Sequence, residues 1–209
     1  MEKDKEEKGF SVSYKYYKMI LDFTKKKNIP DIKIPNIEIR QYDKEKDFSE
    51  FVQLYNYVNM QTVDPHLPTY TESEFKLIPE DMVFLAVVEG KLVGYVICFI
   101  REDIADMEFG KYVNKELSQY VSKEERLGVL GEIGVLKEYR RHGVATALAA
   151  KVGRYFKDKN VDKIYAEAYA ENFNAINFIQ SFGFKKIGMV VVSQDEVRKP
   201  HPRRIRMGI

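Results

Sequence analysis

The sequence predicts an α/β fold in which a mixed central β-sheet is flanked by α-helices. Two apolar runs, 82–88 and 92–100, are joined by a short polar turn centred on Gly90. This pattern is typical of a β-hairpin, because glycine adopts turn geometry that other residues resist. Strand and helix patterns then alternate through the C-terminal half of the chain, which favours a sheet covered by helices.

Composition limits the classes of protein to which the chain can belong. With 209 residues, 44% hydrophobic and 32% charged, it is typical of one globular domain. A net charge of +2 gives no general attraction to nucleic acid. No apolar run is long enough to cross a bilayer, and the charged N-terminus resembles no secretory signal, so we expect no membrane partner.

One cysteine and three histidines limit the disulfide and metal chemistry that the chain can support. The only cysteine, Cys98, allows no internal disulfide, so we expect a cytoplasmic protein. It lies within an apolar strand pattern and is interpreted as a core thiol rather than a nucleophile. The three histidines are scattered along the sequence, and no metal site is expected.

In chain order, the first predicted element is a helix over 12–27, where apolar residues recur at helical spacing. Pro30 and Pro35 mark a linker, so residues 1–36 are interpreted as an N-terminal extension and 37–209 as the domain. The elements expected next are a strand over 37–40, a helix over 48–60, a loop with a short helix after Thr71, the hairpin, and an inserted helical segment over 101–127. After these come a strand over 129–136, a helix carrying Ala145 to Phe156, a strand over 163–169, a helix over 172–182, and strands over 185–193 and 204–209.

The loop between 133 and 146 carries the strongest chemical signal. A strand ends, basic residues follow, and an amphipathic helix begins at once. The start of a helix leaves N–H groups unpaired and attracts anions, while small residues such as Gly143 and Ala145 let an anion approach the backbone. A diphosphate is the natural ligand of such a cradle, although no nucleotide-binding glycine motif is present. The alternative is an ordinary strand-to-helix turn with solvated arginines.

Two motifs resemble a known family. Arg140-x-x-Gly143-x-Ala145 is similar to the Q/R-x-x-G-x-G/A signature of the GNAT superfamily of N-acyltransferases. A second stretch, from Asn172 through Phe184, is similar to the next motif of that family, at the expected distance. The resemblance covers roughly residues 37–209.

The resemblance implies a GNAT fold with splayed central strands, acetyl-CoA as cosubstrate and no metal. It also implies acetyl transfer to an amine, whether a protein N-terminus, a lysine or a small amine. The implied cofactor-binding residues are Ile133, Gly134 and Val135 on the strand, Arg140, Arg141, His142, Gly143, Val144, Ala145 and Thr146 in the cradle, and Asn172 after the next strand.

An amine attacks a thioester only after losing its proton, so we expect a carboxylate base near the splay. Glu167 is the first candidate, because it lies mid-strand and matches the base of ribosomal-protein N-terminal acetyltransferases; Glu132 is the rival. Those enzymes carry a tyrosine acid where this chain has Ile179. Tyr169, on the same strand face as Glu167, could replace it.

The same residues allow other functions and partners. A non-catalytic acyl-CoA-binding domain is the alternative to an enzyme, and a nucleic-acid binder using the arginines at 140–141 and 203–206 is less favoured. Asp64, His66 and Tyr70 lie where the family commonly builds its acceptor site for an amine or peptide substrate; the alternative, slightly favoured, is a polar, solvated loop. The 101–127 insertion and the N-terminal segment could cover that site or join two subunits in a homodimer.

Overall fold

The computed structural model describes residues 13–25, 29–64, 72–76, 78–102, 111, 114–115 and 117–193. Seven strands form one mixed sheet, and the predicted fold class is confirmed. The strands are β1 Ser13–Asp22, β2 Glu38–Gln41, β3 Val83–Val88, β4 Lys91–Ile100, β5 Leu127–Val135, β6 Lys163–Tyr169 and β7 Lys185–Ser193. The helices are α1 Lys44–Met60, α2 Glu72–Phe75, α3 Val144–Asp158 and α4 Phe173–Ser181, and the structure also has 3₁₀ turns at Glu80–Met82 and Lys137–Tyr139.

The order of strands across the sheet is β2-β3-β4-β5-β6-β1-β7. Among these described strands, β5 and β6 pair in parallel and the other neighbours pair antiparallel. Helix α1 packs on one face of the sheet, and α3 packs on the other against β3, β4 and β5. We call these the α1 face and the α3 face.

The predicted N-terminal helix over 12–27 is wrong. Residues 13–22 form strand β1, which lies between β6 and β7, so part of the expected extension belongs to the sheet of the domain. The apolar residues at 12, 16 and 20 are four apart, and this spacing gives one face of a helix but equally one face of a strand. Met19, fully buried, shows that the strand is part of the core.

The start of α1 and the insertion over 101–127 differ in how far the sequence predicted them. Helix α1 begins earlier than predicted, because the Asp43 side chain caps it by accepting from the Lys46 N–H. In the insertion, Leu117 is helical and buried, and the Tyr120 hydroxyl donates to the Ile187 carbonyl of β7. The predicted strand over 204–209, the arginines at 203–206, His66 and Tyr70 lie outside the described residues.

The segment that joins β1 to β2 runs along α3, and we call residues 29–34 the strap. Arg154 of α3 holds it: one guanidinium nitrogen donates to the Pro30 carbonyl over 2.7 Å, and the other lies 3.0 Å from Asp31 Oδ1. Ile29 packs against Gly153 and Ile34 against Gly143, the residue before α3 begins. Ten helical residues rise about 15 Å, which five extended residues span, so the strap follows α3 back to its start.

Within the described ranges, no helix is long and apolar enough to cross a membrane.

Candidate active site

The site is built around a gap between β5 and β6. The parallel pairing of these strands ends at Leu130 opposite Ala166, although β5 continues to Val135 beside β4. The central strands are therefore splayed, as the resemblance implied. The open edge of β5 beyond Leu130 is free to pair with an extended ligand.

The backbone of β5 shows which groups face this gap. Leu136 donates its N–H to the Val93 carbonyl of β4. Because alternate residues of an antiparallel ladder turn their N–H and C=O away from the partner, Val135 and Ile133 direct theirs toward the gap. The Val135 carbonyl accepts from Arg140 Nε over 2.9 Å, which leaves the Ile133 groups and the Val135 N–H for a ligand.

A β-bulge at Gly131 decides where the carboxylate of Glu132 points. Opposite β4, Phe99 faces Val129 and Ile97 faces Glu132, so β5 carries one extra residue between these two positions. The bulge thus brings Glu132 onto the face of Val129. Tyr165 of β6 lies opposite Val129, so Glu167, two residues further on, shares that face with Glu132.

Glu132 lies under the C-terminal part of α1 in a desolvated position. Its Oε2 is buried and has no hydrogen-bond partner among the described residues. Burial raises the pKa of Glu132 to about 7; a hydrogen bond with Tyr55 of α1 lowers it in part, and the charge of Asp64 raises it. A carboxylate with this pKa is half ionised near neutral pH and can accept a proton there.

Glu167 has a different environment. The buried Tyr165 hydroxyl donates to its Oε1 over 2.5 Å, and Lys18 of β1 lies directly opposite it in the sheet. Each carboxylate thus accepts a hydrogen bond from a tyrosine, and Glu167 also lies beside a cation. The two carboxylates therefore have different environments, and their order as candidate bases stays a prediction.

Tyr169 lies on the same face and packs among aromatic rings of β1. Its ring centroid is 5.5 Å from that of Tyr16 and 6.5 Å from that of Tyr14. Desolvation raises the pKa of Tyr169, with further contributions from Glu171 and Asp64, so the hydroxyl stays protonated at neutral pH. Ile179 is buried on α4 and carries no proton to donate.

The basic loop forms a turn that opens the start of α3. Gly143 is the N-cap with φ of 84°, Arg141 also has a positive φ of 67°, and no side chain caps the helix. The first N–H groups of α3 are thus left for a ligand. Arg140, Arg141 and His142 are all exposed beside them.

Asn172 is placed at the start of α4, where its Oδ1 accepts from the Ala175 N–H over 3.1 Å. This bond caps the helix, so the oxygen has a structural use besides the predicted contact with a cofactor.

Cys98 is fully buried and burial raises its pKa, as expected for a core thiol. Among the described residues, no three His, Cys, Asp or Glu side chains are grouped to hold a metal.

Sequence reasoning missed Tyr55 and Tyr16. Tyr55 repeats with apolar neighbours at helical spacing, which indicates only a core residue. Tyr16 was assigned to a helix, yet its hydroxyl donates to Asp64 Oδ1 over 2.6 Å beside the site. The signal available for Tyr16 was the dense run of tyrosines, because aromatic residues favour strands.

A coenzyme A molecule fits these observations. The free N–H groups of α3 suit a diphosphate, and the open edge of β5 suits an extended pantetheine arm. A side chain at Gly143 would reduce the space beside the cradle, where Ile34 already lies 3.2 Å from the position of a Cβ atom.

Comparisons with known proteins agree with this geometry. Residues 50–184 match the acetyltransferase (GNAT) family. An N-α-acetyltransferase of Saccharolobus solfataricus is 30% identical over 158 residues, covering 72% of this chain and 88% of that protein. An N-α-acetyltransferase of Sulfurisphaera tokodaii is 30% identical over 131 residues, covering 62% and 72%. The NatC complex bound to Gag peptide and CoA shares the fold, with a TM-score of 0.54 at 19% identity, covering 73% of this chain and 87% of that one.

The chain therefore belongs to the acetyltransferase (GNAT) family. Its membership confirms that the protein is a transferase that moves an acetyl group onto an amine, as the motifs predicted. The alternative of a non-catalytic binding domain is not supported.

Proposed function

We propose that this protein transfers the acetyl group of acetyl-CoA to the α-amino group of a polypeptide, with Glu132 as the base. The observation that carries the base assignment is the buried Oε2 of Glu132 on the α1 face of the splay, which has no hydrogen-bond partner in the described part of the chain. The relatives that act as N-α-acetyltransferases, and a solved structure of the same fold bound to a peptide and CoA, support the choice of acceptor.

Acetyl-CoA would supply the acetyl group as a thioester. The N–H groups from Arg141 to Thr146 would hold its diphosphate, and Ile133 and Val135 would pair with the pantetheine arm along the open edge of β5. Gly134 lies between these two residues of β5, and Val144 is the first residue of α3. Asn172, at the start of α4, would contact the cofactor from the other side of the gap. These residues fix the thioester in the splay, next to Glu132.

Glu132 has the task of making the amine nucleophilic. An α-amino group has a pKa near 8 in water, so much of it is protonated at neutral pH. Glu132 accepts the proton, directly or through water, as the nitrogen forms a bond to the carbonyl carbon and the carbon–sulfur bond breaks. The electron pair leaves on sulfur, and Tyr169 is the hydroxyl proposed to protonate it. Glu167 is the second candidate for the base.

The experiment that tests this function measures coenzyme A release with a panel of acceptors. Peptides with a free N-terminus are compared with the same peptides blocked at the N-terminus but carrying a lysine, and with small amines. We expect release only with free N-termini, and a rise in melting temperature with acetyl-CoA alone. Modification restricted to lysines or small amines would overturn the choice of acceptor, and neither release nor stabilisation would overturn the function.

The proposal keeps a cytoplasmic location, which the single, fully buried cysteine supports. It needs no nucleic acid or metal. A homodimer stays a prediction, and sedimentation of the full chain at several concentrations tests it.

A further inference from the structure

A cavity of about 160 Å³ lies on the α3 face, and every described residue that lines it is apolar. It is lined by α3, α4, strands β1, β5 and β6, and the strap, and it opens in part to the surface. Representative lining residues are Leu130, Ile164, Ala149, Phe156, Phe182 and Ile32. An apolar void of roughly 150 Å³ stays dry and takes up a six-carbon molecule such as benzene.

The position of the cavity relates it to the splay. Leu130 is the last residue of β5 that pairs with β6, and it faces away from Glu132, because Cys98 opposite it alternates with Ile97 opposite Glu132. Ile164 lies on the same face as Ala166, the partner of Leu130. The cavity therefore begins at the apex of the gap, on the face of the sheet opposite the base.

The helix of the cradle also leads into the cavity. Ala149 is one turn beyond Ala145, where α3 begins its contact with the expected diphosphate, and both are small and half-buried. The strap closes the far side through Ile32 and is held by Arg154. An acceptor amine would thus approach from the α1 face while an apolar chain would extend to the α3 face.

We propose that this cavity binds the apolar chain of an acyl-CoA donor longer than acetyl, up to about six carbons. The inference rests on the proposed function, since the thioester must lie in the splay for its chain to reach Leu130. Besides acetyl, the protein would then transfer a short or medium-chain acyl group, with the same bonds formed and broken. Each methylene buried in an apolar site strengthens binding by roughly fourfold.

The test measures the affinities of CoA, acetyl-CoA, hexanoyl-CoA and octanoyl-CoA by calorimetry, without an acceptor. We expect hexanoyl-CoA to bind at least about tenfold more tightly than acetyl-CoA. Ala149→Leu fills the cavity and should remove most of this difference while leaving acetyl-CoA unchanged. Ile32→Ala enlarges it and should move the preference toward octanoyl-CoA, which a purely structural role would not do.

The outcomes separate the two proposals. If CoA and acetyl-CoA do not bind, the proposed function fails and the inference with it. If both bind but hexanoyl-CoA gains nothing over acetyl-CoA in the unmodified protein, the acyl-chain site is wrong and the function stands. Should Ala149→Leu fail to fold, the chain-length preference of Ile32→Ala decides.

Discussion

The hydroxyl of Tyr16 donates a 2.6 Å hydrogen bond to Oδ1 of Asp64 and joins the first strand of the chain to the segment after α1. Asp64 in turn raises the pKa of both Glu132 and Tyr169 through its charge. The N-terminal strand thereby holds in place a charge that acts on the proposed base. Changes at Tyr16 or Asp64 should therefore alter the proton affinity of Glu132.

Replacing Glu132 with glutamine should lower turnover by about 10²- to 10⁴-fold, because the side chain keeps its size and loses its basicity. Glu167→Gln is the matched control and should cost less than tenfold, since its oxygen can still accept from Tyr165. Steady-state kinetics with a free N-terminal peptide measure both. The reverse order of losses would restore Glu167 as the base.

The acidic limb of the pH profile should move in opposite directions in two variants. In the unmodified protein kcat/KM should rise through about pH 7, because the base acts when ionised. Tyr55→Phe removes a bond that lowers the pKa of Glu132, so its limb moves to higher pH. Asp64→Asn removes a charge that raises this pKa, so its limb moves to lower pH. Identical limbs in all three proteins would exclude Glu132 as the titrating group.

The same carboxyl should make the fold less stable as pH rises. The folded-state pKa of Glu132, about 7, lies above its value in an unfolded chain, so the folded state binds the proton more tightly. Stability from this group is present below about pH 4 and is lost as pH rises toward 7. Glu132→Gln should therefore be more stable than the unmodified protein at pH 8, by about 3 kcal/mol, and equal to it near pH 4. Denaturant unfolding at both pH values gives the comparison, and a variant less stable at pH 8 contradicts it.

The role of Gly143 in the cradle can be tested against Gly90, which lies in the turn between β3 and β4 and serves as the control. Both have a positive φ, 84° and 80°, but a Cβ atom at Gly90 meets nothing within 4 Å. Alanine at either position should cost about 1 kcal/mol of folding free energy. Only Gly143→Ala should also weaken CoA binding, by about tenfold, because it disturbs the turn that presents the N–H groups. Equal CoA affinities in the two variants would place the diphosphate elsewhere.

The integration of β1 into the sheet can be measured through Met19, which is fully buried. Met19→Ala should lower the free energy of unfolding by about 2–5 kcal/mol, as for other large-to-small changes in a core. Lys15→Ala, at an exposed position of the same strand, should change it little. Equal, small effects would show that the strand is not part of the folded core in solution.

The fold class, the hairpin and the cradle could be predicted because each rests on local chemistry: turn glycines, apolar runs and an uncapped helix start. The strand β1 could not, because a spacing of four fits both periods. The surroundings of Glu132 and Glu167 could not be predicted either, because they depend on a bulge at Gly131 and a hydrogen bond from Tyr165, which form only when distant strands pair. Pro30 and Pro35 predicted a linker at the position of the strap, but they gave no sign of its contact with α3 through Arg154.

The placement of β1 has a consequence for how the chain is made. This strand is made before both of its partners, β6 and β7, which follow all the other described strands in the chain. Until they appear, two edges rich in tyrosine and apolar side chains stay unpaired, and such edges invite association with other chains. Pairing across most of the sequence is also slow. Assembly of this enzyme should thus be limited by the pairing of β6 and β7 with β1, and be sensitive to chaperones that shield β1 until then.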